Sequence, residues 1–549
     1  MQPAGSSLLT SFAKRTVWCM LLLAILPVAL RLALLHRASA PVPATADDTS
    51  YLLLADTLSH FRLANPPHPF ARFFETNFVL QDPTYSSIFP LGQGIALALG
   101  KLVFGHPWAG VLLAGGLLCA MCYWMLRAWI SPAWALAGGF LAVMQFGPLS
   151  YWTNSYWGGA VSGIAGCLVF GALPRRNGWL IGLGLGLELL TRPYEFLLLT
   201  AAVPLTALPF QNYSCAPCLP WGRLPNLRRV ANPPGVALSG MHISLKAAAA
   251  LVPAIALTLL HNHAVTGSWT TLPYQLSRHQ YGTPTTFTFQ PNPSPNRNLS
   301  QEEQDNYDAQ SAVHARESRI DFGKRFLNRL SNLRFFFSPP LYLALPAFLF
   351  TLRDARMLSL LIPVAAFLIG TNFYPYVYAH YIAAITCVFL LMTVAGLDRV
   401  SRSSKPAAAL IFLLAVAHFA FWYGLHAAAG DRTAAAMLPF ESSDYLNRGD
   451  PEGRVPVSKR LAESPGKQLV FVRFGPVHPL REWIANEANI DQSRVVWALD
   501  LGRSENEKLR QYYSDRTTWL LEADDHPPNL QPYPNKPQIH FEPVPPARE

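Results

Sequence analysis

Eleven apolar runs divide this chain, and the basic residues between them fall on alternate sides. The runs lie near 17–36, 108–127, 132–149, 160–173, 178–192, 195–210, 246–264, 338–352, 356–371, 381–398 and 406–426. In hydrocarbon every backbone N–H and C=O must be paired within the protein, which restricts a crossing segment of this kind to a helix. Several runs are shorter than the roughly 20 residues of a straight span. With the N-terminus inside, the cytoplasmic loops carry Lys14/Arg15, Arg127, Arg175/Arg176, Arg223/Arg228/Arg229/Lys246, Arg353/Arg356 and Arg399/Arg402/Lys405. That is the positive-inside distribution. The sequence therefore predicts a mainly α, polytopic membrane helical bundle of about 11 transmembrane helices.

Composition agrees with this. Hydrophobic residues make up 51% of the 549 and charged residues only 14%, against about a quarter charged in soluble domains. The net charge of +10 is then a matter of topology. No basic-aromatic module for nucleic acid is present, so no nucleic-acid partner is expected. Cys19, Cys119, Cys122, Cys167 and Cys387 lie in apolar runs and read as small hydrophobes. Cys215 and Cys218 form a lone CxxC without the second ligand pair of a structural zinc site.

Two segments need separate treatment. Counting the apolar run 88–104 as a span would turn every later basic loop outside, so it reads as a helix lying in, or dipping into, the outer face. Tyr51, Leu54, Ala55, Leu58 and Phe61 have helical spacing and predict an amphipathic helix resting on the membrane surface. At the N-terminus, Lys14-Arg15, an apolar stretch and Ala38-Ser39-Ala40 have the outline of a signal peptide. Arg31, His36 and Arg37 interrupt that outline and Pro41 would follow the cut, which favours an uncleaved first span with a cytoplasmic N-terminus.

The expected organisation is a transmembrane domain over 1–430, with outer loops at 37–107 and 265–337, and a C-terminal extracytoplasmic α/β domain over 431–549. In that tail, Gln468–Phe474, Arg494–Leu499 and Thr517–Glu522 read as strands. Leu480–Glu487 and Glu505–Tyr513 read as helices, giving a small βαβαβ unit. The proline-rich end from Pro527 reads as irregular.

Under this topology the unusual polar residues gather at the outer ends of spans. Asp47 and Asp48 follow the first span. Adjacent carboxylates there suit a base that takes a proton from a hydroxyl, beside a group that orients it. Thr45-x-x-Asp48 is equally a capping box, so capping and chemistry stand level for Asp48, whereas Asp47 favours chemistry. Arg192, beside Pro193, offers a fork of donors to phosphate. Glu188, four residues earlier, suits a helical ion pair with it, and Glu195 is the alternative partner. The aromatic cluster Tyr151–Trp157 suits either sugar stacking or an interfacial belt, with the belt favoured. His261 and His263 flank Asn262, but a His-x-His pair alone is weak evidence for a metal. Tyr374-Pro375-Tyr376 and His380-Tyr381 precede another span, where anchoring at the interface is the bland reading.

Asp47-Asp48-Thr49-Ser50-Tyr51 resembles the Asp-Glu-x-x-Tyr pattern of GT-C membrane glycosyltransferases, with Asp48 in place of Glu. The relevant branch contains protein O-mannosyltransferases, lipid A aminoarabinose transferases and the bacterial transferases similar to them. Tyr85–Pro90, Leu102–Gly105, Thr191-Arg192-Pro193, Asn262 with Thr266-Gly267 and Pro273-Tyr274, and His380-Tyr381 resemble further family passages in the same order. The Lys of the family's Lys-Pro-Pro element is missing. The resemblance covers most of 15–425.

It implies a multi-pass protein of a bacterial-type inner membrane. Such a protein moves a sugar, with inversion, from a polyprenyl-phosphate donor to a hydroxyl acceptor on the extracytoplasmic face. The acceptor is a lipid, glycan or protein. The implied catalytic residues are Asp47 and Asp48; the implied substrate-binding residues are Tyr51, Tyr85, Arg192, Glu195, Asn262, His380 and Tyr381. A divalent metal accompanies some members; no metal site is expected here, Asp47 being the one candidate ligand, and no other cofactor is implied. Two other readings stay open. A transporter or flippase of a lipid-linked intermediate would need broken midplane helices and an internal repeat. A catalytically silent scaffold would use its C-terminal module to bind a partner.

Overall fold

The computed structural model describes residues 11–211, 234–428, 430–437, 441, 450, 453–475, 478 and 481–534. Cys215, Cys218 and the basic loop Arg223/Arg228/Arg229 lie outside the described residues. The first half runs α1 (Thr16–Ala33), α2 (Ala46–Ser59), β1 (Val79–Leu80), β2 (Ser86–Ser87), α3 (Leu91–Phe104), α4 (Pro107–Leu126), α5 (Pro132–Phe146), α6 (Ala160–Ala172), α7 (Gly178–Thr191) and α8 (Pro193–Gln211). There follow α9 (Pro234–Thr266), α10 (Pro273–Tyr281), α11 (Gln301–Arg319), α12 (Leu361–Thr371), α13 (Thr386–Ser403) and α14 (Lys405–Ala428). The C-terminal unit contains α15 (Arg454–Glu463), β3 (Lys467–Arg473), β4 (Val495–Leu499), α16 (Arg503–Tyr512), β5 (Arg516–Glu522) and β6 (Asn529–Pro532).

Among the described residues, six helices are long and apolar enough to cross a membrane: Thr16–Ala33, Pro107–Leu126, Pro193–Phe210, Met241–Thr266, Ala379–Ser403 and Lys405–Ala428. In α1 the buried positions Cys19, Leu23, Pro27 and Arg31 recur every four residues and form one stripe. Val17, Trp18, Leu21 and Ile25 are exposed on the rest of the helix. A helix that is apolar all round with one packed stripe turns its other side to lipid. The expected span at 338–352 is instead a chain of short turns, Pro339–Leu343, Leu345–Phe348 and Leu349–Thr351. Pro339, Pro340 and Pro346 each remove a helical donor, which explains the break.

The run 88–104 holds the 14-residue α3. At 1.5 Å per residue it is about 21 Å long, short of the roughly 30 Å hydrocarbon core. It doubles back onto α4 through Gly105, whose φ of +76° few side chains accept. The two helices nearly touch at Gly110, where an added Cβ would sit 1.9 Å from the Ala96 carbonyl oxygen. Gly110→Val is therefore expected to cost more than about 3 kcal/mol, because backbone cannot yield as a side chain can. The readout is folded, monodisperse protein after detergent extraction; a wild-type yield and melting temperature would refute the close approach.

The helix predicted to rest on the membrane surface exists as α2, but protein covers it. Tyr51, Leu54 and Ala55 pack with Phe89, Leu91, Leu97 and Trp108, while Leu53 joins Phe73, Phe74, Leu469 and Phe471. Phe61 falls beyond its end and is 89% exposed. The helix is thus sandwiched between α3 and the C-terminal unit. Amphipathic spacing shows that a face is buried and not what buries it.

In the C-terminal unit the sheet order is β4-β3-β5-β6, with the first three strands parallel and β6 antiparallel to β5. Leu469–Val472 are buried without alternation, as expected of a central parallel strand covered on both faces. Val470 and Val472 pack against Val457 and Leu461 of α15, and Leu469 and Phe471 against the loop residues Phe73 and Phe74. Three strands and α16 match expectation within a few residues. Residues 481–487 are not the expected helix. There Asn486 takes both the N–H and the C=O of Trp497 (2.9 and 2.7 Å), so the segment runs beside β4 as a false strand. The strand Asn529–Pro532 lies at the start of the segment expected to be irregular, whose residues from 535 on lie outside the described residues, and α15 was not anticipated.

The unit is pinned to loop 37–107 by polar contacts as well. Asp56 accepts from the Ala488 N–H (2.6 Å), Arg62 donates to Asn489 (2.7 Å), and His68 meets Asp491 (3.1 Å).

Candidate active site

A cavity of about 1210 Å³ lies where helix ends, both long loops and the C-terminal unit meet. Asp47, Asp48, Arg192, Glu195, His380 and Tyr381 all line it. The structure thus brings together six residues that lie up to 334 positions apart (Asp47 to Tyr381).

Asp47 and Asp48 open α2. Thr45 is the N-cap: its hydroxyl oxygen accepts from the Asp48 N–H (3.3 Å), and Asp48 Oδ2 accepts from the Thr45 N–H (3.3 Å) and hydroxyl (2.9 Å). Asp48 Oδ1 accepts from the Tyr156 N–H at 3.0 Å. Both Asp48 oxygens are therefore engaged in holding the start of α2 against the 151–157 segment. Asp47, one residue earlier, has no such duty and faces the cavity. Burial first, and the Asp48 charge second, push its carboxyl up to about 7, while Arg192 pulls the other way. Asp48→Ala removes the cap and leaves the Tyr156 N–H unpaired; a loss of about 1–2 kcal/mol is expected. An unchanged unfolding temperature would sink the capping role.

The approach to α2 is fixed by Arg31. Its guanidinium donates to Asn154 Oδ1 (2.7 Å) and to the carbonyls of Ala38 (3.0 Å) and Ser39 (2.8 Å), and lies 4.7 Å from the Trp108 ring centre. This charge, which interrupted the signal-peptide outline, ties the chain that leads to Asp47.

Arg192 sits in a forced break. Pro193 starts α8 at its first position, and a residue before proline is driven out of the helical region; Arg192 has φ −146° and ψ 87°. The expected Glu188–Arg192 ion pair does not form. Glu188 accepts from the Ser162 hydroxyl (2.9 Å), and Arg192 Nη1 lies 3.8 Å from Glu195 Oε1. The turn at Arg192 breaks the i,i+4 geometry on which that pairing relied. The guanidinium lies 5.3 Å from the Tyr381 ring centre, and its Nε is buried without a hydrogen-bond partner.

His380 meets the Tyr151 hydroxyl at 3.0 Å and stacks on Tyr378 (5.4 Å, 7°). It is a cavity residue and not an interfacial anchor. The 151–157 aromatics do not form a belt either. Tyr151, Trp152 and Tyr156 are buried inside the protein, and Trp157 lines the cavity. A run of aromatics reads the same whether lipid or protein surrounds it.

Three predicted binding residues are not among those that line the cavity. Tyr51 stacks on Phe89 (4.1 Å, 8°) behind the cavity wall. Tyr85 is buried, with its hydroxyl on the Asn486 carbonyl (3.3 Å). Asn262 donates to the Trp269 carbonyl (3.2 Å) and lines a separate small pocket with His261. Conversely, Arg278, Arg454 and Arg481 line the main cavity and were not anticipated. Tyr274 and Arg278, four apart behind Pro273, carried a helical signal; nothing in the linear sequence links Arg454 or Arg481 to a membrane bundle.

Among the described residues, no three His, Cys, Asp or Glu side chains converge on a point that could hold a metal ion. No step below uses a metal.

Fold and site define a polytopic helical membrane protein whose cavity, lined by both apolar and ionisable side chains, is completed by its C-terminal α/β unit. No protein-family model matches the chain, and no curated protein does. Among solved structures it is similar to ArnT from Cupriavidus metallidurans in the apo state, at 13% identity and a TM-score of 0.48, over 92% of this chain and 93% of that one. It is also similar to the archaeal oligosaccharyltransferase AglB from Archaeoglobus fulgidus, solved with an inhibitory peptide and a dolichol-phosphate. There the identity is 12% and the TM-score 0.38, over 92% of this chain and 69% of that one.

Proposed function

We propose that this protein is a membrane glycosyltransferase that moves a sugar from a polyprenyl-phosphate donor to a hydroxyl acceptor, with inversion. One observation carries the reading. A cavity-lining carboxyl, Asp47, shares its cavity with a guanidinium, Arg192, whose Nε is buried without a hydrogen-bond partner. A general base needs the first, and a departing phosphate needs the second.

The bond changes are these. Asp47 takes the acceptor hydroxyl proton as that oxygen bonds to the anomeric carbon. The carbon–oxygen bond to the lipid phosphate breaks, and the phosphate leaves with the electron pair. Arg192 stabilises its charge. Attack from the face opposite the leaving group inverts the centre, through a cation-like state as in other glycosyl chemistry. Asp48 positions Asp47. His380 and Tyr381 are binding residues on the cavity wall. The C-terminal unit over 431–549 belongs on the extracytoplasmic side, where it roofs the site, with the N-terminus cytoplasmic and the protein in a bacterial-type inner membrane.

The test is the lipid-linked sugar pool of cells carrying wild type or Asp47→Asn, measured by mass spectrometry, with membrane insertion verified. One polyprenyl-linked sugar is expected to accumulate in the mutant alone, and its mass names the donor. Identical pools and glycans would refute the transferase reading and favour a catalytically silent scaffold.

A further inference from the structure

We propose that Asn77 and Asn306 form a sugar-hydroxyl subsite in the wall of the cavity, with Gln310 setting the orientation of Asn306. This rests on the transferase reading above and adds the groups that would recognise the sugar ring.

Helix α11 contains no Leu, Ile, Met or Phe. Glu302, Asn306, Gln310 and His314 recur every four residues along it and are all buried, so they share one inward side. A helix of a folded domain usually turns an apolar stripe inward; this one turns carboxyl, amide and imidazole groups. Asn306 and Gln310 line the cavity, as does Asn77 from loop 37–107.

Hydrogen bonds orient these amides. The Thr285 N–H can only donate, so Gln310 Oε1 faces it at 2.9 Å. Gln310 Nε2 then donates to Asn306 Oδ1 (3.0 Å), which leaves Asn306 Nδ2 buried without a hydrogen-bond partner. Asn77 Nδ2 donates to Glu302 (3.2 Å), which leaves Asn77 Oδ1 buried without one either. Asn306 is 8% exposed and Asn77 3%. Leaving a buried donor or acceptor unpaired is costly, so an orphaned donor and an orphaned acceptor in one cavity wall mark the place of a ligand. A hydroxyl suits both, because its one oxygen accepts and donates.

The neighbouring wall is aromatic. Phe78, beside Asn77, lines the cavity, and so does Phe287, whose carbonyl meets the His314 ring at 3.1 Å. Apolar rings with a few placed polar groups are the usual make-up of a small-ligand wall. A pyranose matches it, with a C–H face rimmed by hydroxyls. Both orphaned groups are neutral amides, so the hydroxyls of the sugar are what they read, and not a charged substituent.

The test uses full-length protein in neutral-lipid nanodiscs, with binding read by thermophoresis. The probes are polyprenyl phosphate, polyprenyl phosphoglucose, the methyl glycosides of glucose, galactose and mannose, and tetrahydropyran as a ring without hydroxyls. Wild type is expected to prefer a sugar probe to its hydroxyl-free counterpart by about tenfold or more, the scale of one buried hydrogen bond. Asn306→Ala should abolish most of that preference. Asn77→Ala, on a separate segment, should do the same and repeats the test if the first variant does not fold. Bare polyprenyl phosphate should bind both variants as it binds wild type, which verifies their folding, and should be weakened by R192Q. A preference lost on polyprenyl phosphoglucose assigns the subsite to the donor sugar; one lost on the free glycosides alone assigns it to the acceptor. Sugar probes that bind wild type no better than their hydroxyl-free counterparts, or that bind wild type and both variants alike, overturn the proposal. Failure of both polyprenyl lipids to bind wild type strikes the transferase reading instead, and is distinguishable because the glycosides are measured separately.

Discussion

Asp47→Asn is expected to lower the transfer rate by about 10²–10⁴-fold, the usual contribution of a positioned general base. Asparagine keeps the size of the side chain and cannot accept the proton. The pH profile is the sharper test. A base works only when deprotonated, and the Asp47 carboxyl is pushed up to about 7 by burial and by the neighbouring Asp48 charge. The wild-type rate should therefore fall as pH drops through about 7, and this limb should be absent from the residual rate of Asp47→Asn. Arg192 lowers the same pKa, so Arg192→Gln should move the limb to higher pH as well as slow the reaction. A limb that stays put in Arg192→Gln, or persists in Asp47→Asn, would assign the titration to another group.

The bundle was readable because bilayer crossing leaves few options. A helix must be apolar for most of its length, and basic residues must fall on one side. The site was partly readable for a related reason. Polar residues among apolar ones have few explanations, so Asp47, Arg192, Glu195, His380 and Tyr381 stood out, and the fold gathers them in one cavity. What the sequence hid was geometry at chain breaks. The turn at Arg192-Pro193 redirects Arg192 from Glu188 to Glu195. Asn486 satisfies Trp497 and so competes with the helix expected over its own segment. Tyr51 and Tyr85 match motif positions, but their stacking on Phe89 and docking on Asn486 are contacts between distant segments that no motif announces. The roof of the cavity was out of reach, since α15 and Arg454 belong to a unit that looks separable in sequence.

The contact between loops and C-terminal unit should loosen as pH rises. Glu302 and Glu303 on α11 are buried, as are Glu75 and Glu482 from other segments. Arg297 reaches Glu75 at 2.7 Å, and Asn77 donates to Glu302 at 3.2 Å. The second carboxyl oxygens of Glu302, Glu303 and Glu482 have no hydrogen-bond partner. Burial, followed by the Glu482 charge, holds the Glu302 carboxyl well above the usual carboxylate range. Burial, followed by the Glu75 charge, pushes Glu303 up to about 8. Folded protein then binds more protons than unfolded protein between the usual carboxylate range and about pH 8. Stability therefore falls as pH rises through that window. Hydrogen exchange across 298–320 and 481–500 should show protection declining from pH 5 to 8 in wild type. In Glu303→Gln the decline should be shallower, because one of the titrating groups is gone. Protection that rises over this range, or an unaltered slope in Glu303→Gln, would mean that these carboxyls stay charged in the folded protein and that Arg297 alone neutralises the cluster.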